Sequence, residues 1–291
     1  MKRSLILAAA AVATITVSST MAQHANFVLL GQPNPEAAKQ APSDKFVHPI
    51  SSPYYNEDSF VTSDIRAWYL WHDFDDAPLG GGDAQVYAVQ VRLAITDQVQ
   101  FVAYKDGYLT FDTDAISDDG WNDVAAGLKW NFIQDFENNF HAAVGGGYEL
   151  AIGDPSVLQN DDDVRLWASA DKGFDKFHIG ANVNFLIPLS DDDSLRFYWN
   201  AHADYYLCEW ASAVLEVHGY HTLDDGNAPP PFSTLDVADI GGGPDVVTAA
   251  VGAEFRVIEN LALRGAWETA LTDDDNDLFG WRLTLSAIYS F

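Results

Sequence analysis

Three things are scarce in this sequence of 291 residues, and each scarcity excludes a class of protein. The single cysteine, Cys208, excludes a disulfide framework or a cysteine-based zinc site within one chain. Only 15 basic residues stand against 43 acidic ones, and the formal net charge of −28 excludes the basic face that a nucleic-acid partner needs. No long apolar run follows residue 22, so we expect no transmembrane helix in the exported chain. Since 48% of the residues are apolar and 13% aromatic, a disordered protein is excluded as well.

Residues 1–22 are typical of a secretory signal peptide. A charged start, an apolar run over residues 5–17 and a small-residue site ending at Ala22 follow one another. Because the apolar run is shorter than the roughly 20 residues of a spanning helix, we expect cleavage near Ala22 rather than an uncleaved anchor. Residues 23–58 are polar, rich in proline and without a sustained period, which predicts an irregular N-terminal arm, either periplasmic or plugging.

From residue 59 to residue 291, apolar and polar residues alternate with a period close to 2. In the last segment, Leu283 and Leu285 alternate with Thr284 and Ser286. The alternation recurs in segments of roughly 9–11 residues, the length of a tilted membrane strand. Twelve such segments start near Ser63, Ala84, Gln98, Asn122, Asn139, Asp163, Asp175, Leu195, Ala211, Val246, Leu261 and Phe279.

A soluble antiparallel sandwich has the same period, so two further features decide between water and lipid. Aromatic residues such as Trp130 and Trp281 lie at strand ends on the apolar faces, where the aromatic girdles of a membrane barrel lie. The polar faces carry full charges rather than the Ser and Thr of a solvated sheet. We therefore predict an all-β fold, a transmembrane antiparallel up-and-down β-barrel of about 12 strands over residues 59–291, with 10 or 14 strands as alternatives.

The last strand carries a recognisable pattern. It ends in Tyr289, Ser290 and Phe291, with apolar residues at alternate positions before them. This pattern resembles the assembly signal of bacterial outer-membrane β-barrel proteins, and residues 64–74 and 105–108 resemble porin-like barrels. The resemblance implies a location in the outer membrane, contact with its lipid and lipopolysaccharide, and recognition of the last strand by the barrel-assembly machinery.

Acidic residues concentrate at one end of the predicted barrel. With both chain ends in the periplasm, long outer loops alternate with short inner turns, and each outer loop contains an Asp pair or triplet whereas the inner turns contain none. The acidic rim suits Ca²⁺ or Mg²⁺, or concentrates cations at a pore mouth; the alternative is a solvated, turn-forming surface without metal. No loop matches an EF-hand, and no other cofactor is expected. The candidate metal ligands are Asp118, Asp119, Asp161, Asp162, Asp191, Asp192, Asp193, Asp273, Asp274 and Asp275.

Most of the charged residues in the strands share the phase of the polar face, which in a barrel is the lumen. A Lys or Arg facing lipid at the midplane costs about 2–4 kcal/mol, so this phase separates inside from outside. The predicted pore-lining residues are Arg66, Arg92, Lys129, Glu149, Arg165, Lys176, Arg196, Asp204, Glu216, Glu254, Arg256, Arg264, Glu268 and Arg282. Lys105 and Asp106 break the phase, and either a β-bulge turns both inward or Lys105 reaches toward the headgroups.

The predicted function is a porin-like channel for passive diffusion of small polar or charged solutes, with the acidic rim favouring cations. The alternative is a non-conducting structural or surface-interaction barrel whose loops bind divalent cations or partners. The lumen is either open or closed by the arm or by the long loop over residues 222–245, and Gly145 and Gly147 leave room for a close approach. The histidines are scattered and no HExxH motif occurs, so we do not expect an enzyme.

Overall fold

The computed structural model describes residues 24–75, 80–159, 161–227, 245–272 and 279–291. The predicted signal peptide and most of the 222–245 loop lie outside the described residues. The strands are β1 (Asp64–Phe74), β2 (Gly82–Ala94), β3 (Val99–Lys105), β4 (Tyr108–Thr113), β5 (Ser117–Trp121), β6 (Val124–Asp135), β7 (Phe140–Leu150), β8 (Asp163–Phe174), β9 (Phe177–Pro188), β10 (Leu195–Cys208), β11 (Ala211–Asp224), β12 (Val246–Ile258), β13 (Leu261–Ala270) and β14 (Trp281–Ser290).

These segments form one closed antiparallel barrel of twelve strands, as the periodicity predicts. Two barrel strands are interrupted: β3 continues as β4, and β5 continues as β6. Strand β1 pairs with both β14 and β2, which closes the barrel and leaves no free edge between its first and last strands. Each predicted segment start lies within two residues of an observed one. None of the helices in the described part of the chain is long and apolar enough to span a membrane.

The two ends of the barrel differ in their connections. We call the end where β1 begins and β14 ends the terminal end, and the opposite end the loop end. Connections at the terminal end are short, such as the two-residue turn between β8 and β9 and the one between β12 and β13. Connections at the loop end are longer in most cases, for example residues 151–162 between β7 and β8. The described members of the acidic set, which are Asp118, Asp119, Asp161, Asp162, Asp191, Asp192 and Asp193, lie at the loop end.

The lumen has two layers. Toward the loop end an apolar layer of buried side chains lies beside charged groups such as Arg282, which contacts Tyr220 and Phe279, and toward the terminal end the buried side chains are mostly polar and charged. The apolar layer consists of Tyr54, Tyr55, Trp68, Leu70, Phe74, Ala84, Val86, Ala88, Leu109, Phe111, Val157, Leu186, Tyr198, Tyr220, Val246 and Phe279. Two of its members, Tyr54 and Tyr55, come from the arm and not from the wall.

The irregularity at Lys105 is a β-bulge, as one of the two alternatives predicts. The register shifts between Ala103 and Lys105, and Lys105 is turned inward, where its ammonium lies 2.5 Å from the Glu149 carboxylate. Asp106 does not follow it into the lumen, because it lies in the interruption between β3 and β4. The space at Gly145 and Gly147 is taken by Trp167 and Tyr104 of the wall rather than by the arm.

Candidate functional site

Residues 46–58 of the arm lie inside the barrel, as do residues 59–63, which form no strand and lead from the arm to β1. The arm crosses the terminal end, rises along the wall past Val47, whose N–H donates to Asp204 at 3.1 Å, and turns at Tyr54 and Tyr55. It then returns to the start of β1. Tyr54 is 0% exposed and Glu57 is 1% exposed, so this segment belongs to the interior although it forms no strand.

The descending part of the arm brings two carboxylates to two cations of the wall. Glu57 lies 2.5 Å from the Arg92 guanidinium and 3.6 Å from the Lys129 ammonium, and Asp58 lies 3.3 Å from Lys129. Burial raises the pKa of both carboxyls, but the neighbouring cations outweigh it and hold the pKa of Glu57 below and that of Asp58 well below the ordinary range. His48 completes this group, because its Nδ1 lies 2.6 Å from Asp58.

The turn of the arm is held by Arg165 of β8. This guanidinium donates to the carbonyl oxygens of Tyr54 at 2.7 Å and Tyr55 at 3.1 Å, and to the amide oxygen of Asn184 at 2.6 Å. Its plane also lies over the rings of Tyr104 and Trp167, 4.8 and 4.7 Å from the ring centres. A planar fork with several donors suits this set of acceptors.

The rising part of the arm is held by Glu216 of β11. Its carboxylate accepts from the N–H groups of Ile50 at 2.9 Å and Ser51 at 2.7 Å, and also from the Ser51 hydroxyl. Ser51 Oγ lies 2.7 Å from His218 Nε2, and His218 Nδ1 lies 2.7 Å from the Asn200 amide oxygen. This Ser, His and Asn order is that of a hydrolase relay, but Ser51 is fully buried and its hydroxyl is bonded to Glu216. The chain being no enzyme stays a prediction, and these contacts serve to hold the arm.

Other lumen charges pair within the wall. Arg282 donates to Glu268 through Nε at 3.0 Å and Nη2 at 2.8 Å, and both are fully buried. The further wall pairs are Arg66 with Asp64, Arg196 with Asp163, Lys105 with Glu149, and Arg256 with Glu254. The lumen thus contains two sets of cations, one neutralised by the wall and one by the arm.

Most of the predicted pore-lining residues point into the lumen, with two differences. Lys176 lies in the turn between β8 and β9 and is exposed, so it does not line the lumen; β9 begins at Phe177, two residues after the start that the alternating pattern predicts. Arg256 is half-buried and donates to the Cys208 carbonyl at 3.2 Å, which places it at the terminal mouth. The buried members of the set are Arg66, Arg92, Lys129, Glu149, Arg165, Arg196, Asp204, Glu216, Glu254, Arg264, Glu268 and Arg282.

Sequence patterns gave no means of finding the arm residues of this site. Glu57 and Asp58 form an acidic pair like those of the loops, and Tyr54 and Tyr55 an aromatic pair without alternation. The lumen-phased basic and acidic residues are nearly equal in number, so the strand sequences did not indicate that Arg92 and Lys129 would take their partners from the arm.

Comparison with solved structures identifies the architecture. No protein-family model and no curated protein matches the chain. The NanC porin structure in rhombohedral crystal form aligns with a TM-score of 0.51 at 9% identity, over 79% of this chain and 98% of that one. The chain has the fold of an outer-membrane porin barrel. The KdgM porin, with a TM-score of 0.48, and LpxR from Salmonella typhimurium, also 0.48, align at 10% and 9% identity over 78% of this chain and 99% and 100% of theirs.

Among the described residues, the acidic rim of this porin-type barrel is largely exposed, and some of its carboxylates accept hydrogen bonds from neighbouring residues. The Tyr108 hydroxyl donates to Asp119, and the Ala151 N–H donates to Asp162 at 3.0 Å. Among the described residues, no group of three or more His, Cys, Asp or Glu side chains could hold a metal ion. A loop-end metal site stays a prediction, and Asp273, Asp274 and Asp275 lie outside the described residues. The other candidates are Asp118, Asp161, Asp191, Asp192 and Asp193, of which Asp118, Asp161, Asp191 and Asp192 are exposed.

Lowering the pH from 7 to 5 is expected to loosen the arm where it enters the porin-type barrel. Burial first, and then the nearby His141, holds the pKa of His24 well below its ordinary 6.5. The folded arm therefore keeps the His24 ring neutral. The free energy of docking of the arm is most favourable above pH 6.5, and below pH 6.5 it weakens by about 1.4 kcal/mol per pH unit. Hydrogen exchange of the arm amides at both pH values, corrected for intrinsic rates, measures the loss. His24→Phe is expected to flatten this dependence, and an unchanged slope in that variant would contradict the assignment to His24.

Proposed function

We propose that the chain is a porin-like channel of the bacterial outer membrane for small polar or charged solutes, closed at rest by its own arm. One observation carries the proposal: Arg92, Lys129 and Arg264 direct hydrogen bonds or ion pairs at arm groups, as Arg165 does. A barrel whose filling was purely structural would pair these cations within the wall, as it does for Arg282. The proposal includes export by residues 1–22 and assembly through the last strand by the barrel-assembly machinery.

Withdrawal of the arm would change both layers of the lumen. In the polar layer it would leave cationic groups around water, which is the arrangement that orients and selects polar solutes. In the apolar layer it would remove Tyr54, whose ring lies 5.0 Å from Trp68, and Tyr55, whose ring lies 5.5 Å from Tyr198. The remaining wall side chains would then form a constriction of the kind that opens and closes by wetting.

The acidic rim belongs to the same proposal. Exposed carboxylates such as Asp118 and Asp191 would raise the local concentration of cations at the loop end. Divalent Ca²⁺ or Mg²⁺ would bind there through oxygen ligands and reduce this bias.

A second candidate is a non-conducting barrel that serves structure or surface interaction. The observation that favours it is the apolar layer itself, because most of its buried side chains, such as Leu70, Phe111 and Phe279, lie outside the arm. Twelve strands lie between the eight-strand barrels that side chains fill and the sixteen-strand porins with an open channel, so strand number decides nothing.

Planar-bilayer conductance separates the two candidates. The chain from residue 23 is expected to be silent or to open rarely, whereas a chain that begins at Ser59 should give discrete ohmic steps, because the polar layer then fills with water. A reversal potential favouring cations, reduced by millimolar Ca²⁺, would support the role of the rim. If the shortened chain inserts as a heat-stable β-rich barrel and never conducts, the second candidate replaces the first.

A further inference from the structure

Two neighbouring strands of the barrel wall break at the same level. Strand β3 ends at Lys105 and β4 begins at Tyr108, while β5 ends at Trp121 and β6 begins at Val124. Strand β2 pairs with β4 up to Tyr87 and with β3 only from Val91, so residues 88–90 have no cross-strand partner on that side. The hydrogen-bonded wall is therefore open over about three residues.

The break contains a cavity of about 620 Å³ on the outer surface. Ligand sites commonly measure about 300–1,000 Å³, so its size suits a small amphiphile. Val89, 50% exposed, and Trp121, 67% exposed, present apolar surface outward at its rim, beside Val124 and Ile152. The opening thus faces lipid and not the lumen.

One carboxylate lies in this apolar cavity. Asp106 lines it and accepts a hydrogen bond from the Val89 N–H through Oδ1 at 3.2 Å. Gly107 permits the break, because its φ of +131° is rarely adopted by other residues and a Cβ there would lie 2.9 Å from the Tyr87 carbonyl oxygen. On the lumen side, the Tyr54 hydroxyl of the arm donates to the Asp106 carbonyl oxygen at 2.6 Å and closes the opening.

The depth of the cavity in the membrane follows from a row of rings. Tyr69, Tyr87, Tyr108 and Trp121 lie directly across from one another on four adjacent barrel strands. Two positions nearer the loop end, three of these strands carry the polar residues Gln85, Thr110 and Asp119, and the first carries Trp71. Such a row marks the boundary between the apolar band and the headgroups. Asp106 lies two residues from Tyr108 toward the terminal end, just inside this boundary.

We propose that this cavity binds a membrane-dissolved amphiphile with a primary ammonium head, which pairs with the Asp106 carboxylate while the alkyl chain runs along Val89 and Val124. A carboxylate in surroundings of low dielectric requires a cation or hydrogen-bond donors, and one N–H from Val89 supplies only part of this. The level just beneath the row of rings is where an ammonium head would lie with its chain in the apolar band. This site is independent of whether the lumen conducts.

Calorimetric titration of the refolded chain in dodecyl maltoside micelles tests the site. At pH 7, dodecylamine is expected to bind at least about tenfold more tightly than dodecanol or dodecanoate, because only the amine offers a charge to Asp106. Asp106→Asn keeps the acceptor for Val89 and removes the charge, and it should weaken amine binding about tenfold. Asp112→Asn removes an exposed carboxylate of β4 outside the cavity, and it should leave binding unchanged.

Val89→Trp supplies a second variant that fills the cavity and keeps the charge. It should also weaken binding, which preserves the test if Asp106→Asn fails to give the heat-stable form on a gel. Equal affinity for the three amphiphiles would overturn the proposal. Amine binding that is unchanged in Asp106→Asn would also overturn it. So would an equal weakening of amine binding in Asp112→Asn and Asp106→Asn, since that result would show attraction to the net charge only.

Discussion

Glu57→Gln is expected to release the arm from the lumen. The change removes the negative charge that faces Arg92 at 2.5 Å and Lys129 at 3.6 Å, and it leaves two buried cations with Asp58 as their remaining arm carboxylate. Breaking a buried pair by removing one partner costs about 3–5 kcal/mol, and the retained amide of Gln places the expected loss near the lower limit. Because both cations belong to the wall, the loss falls on the docking of the arm.

Hydrogen exchange of the amides in residues 46–63 measures this release. A loss of about 3 kcal/mol corresponds to exchange more than a hundredfold faster when opening precedes exchange. Glu36→Gln is the matched control, since Glu36 belongs to the same arm but forms an exposed pair with Lys39 at 2.6 Å, and exposed pairs contribute only about 0–1 kcal/mol. Equal protection of the arm in both variants would mean that this charge cluster does not hold it.

The strands of this barrel were predictable from the sequence because a period of 2 is imposed at every position. A wall residue that faces lipid must be apolar. Charged residues of the same strand, such as Arg264 and Glu268 of β13, are tolerated because they point into the lumen. The prediction was wrong at Lys176. The alternation of β9 extends back into the turn before it, and no glycine or proline in the sequence marks where that strand begins. Such ends are the least certain part of any pattern.

The position of the arm inside the lumen could not be predicted from alternation in the sequence, and the reason is physical. Inside the lumen many of the arm's backbone groups bond side chains of the wall, such as Arg165 and Glu216, instead of the backbone of a neighbouring strand. No period is therefore required of its sequence. The lumen cations that bind the arm could equally have found partners on another strand, as Arg282 did. The cavity at Asp106 could not be predicted from the sequence either, because it forms only where the breaks in two neighbouring strands lie at the same level of the barrel.

Arg165→Lys and Arg282→Lys are expected to affect different parts of the molecule, although both replace a fully buried guanidinium. Arg165 donates to two carbonyl oxygens of the arm, and a lysine cannot reach both together with Asn184. Since a hydrogen bond to a charged group contributes about 1.5–3 kcal/mol, arm docking should weaken by about 2 kcal/mol, visible as faster exchange of the arm amides. Arg282 bonds Glu268 and the Tyr220 hydroxyl within the wall, so its variant should lower the free energy of unfolding in urea by a similar amount and leave arm exchange unchanged.

A double-mutant cycle with the arm makes this distinction quantitative. In a chain that begins at Ser59, Arg165 has lost its arm acceptors, so Arg165→Lys should cost about 2 kcal/mol less in the free energy of unfolding than it does in the whole chain. The cost of Arg282→Lys should be the same in both chains, because none of its bonds to Glu268 or Tyr220 involves the arm. Coupling of the arm to both arginines would mean that wall and arm form a single cooperative core, and a plug that withdraws while the barrel stays folded would then be excluded. Coupling to Arg165 alone is what a detachable plug requires.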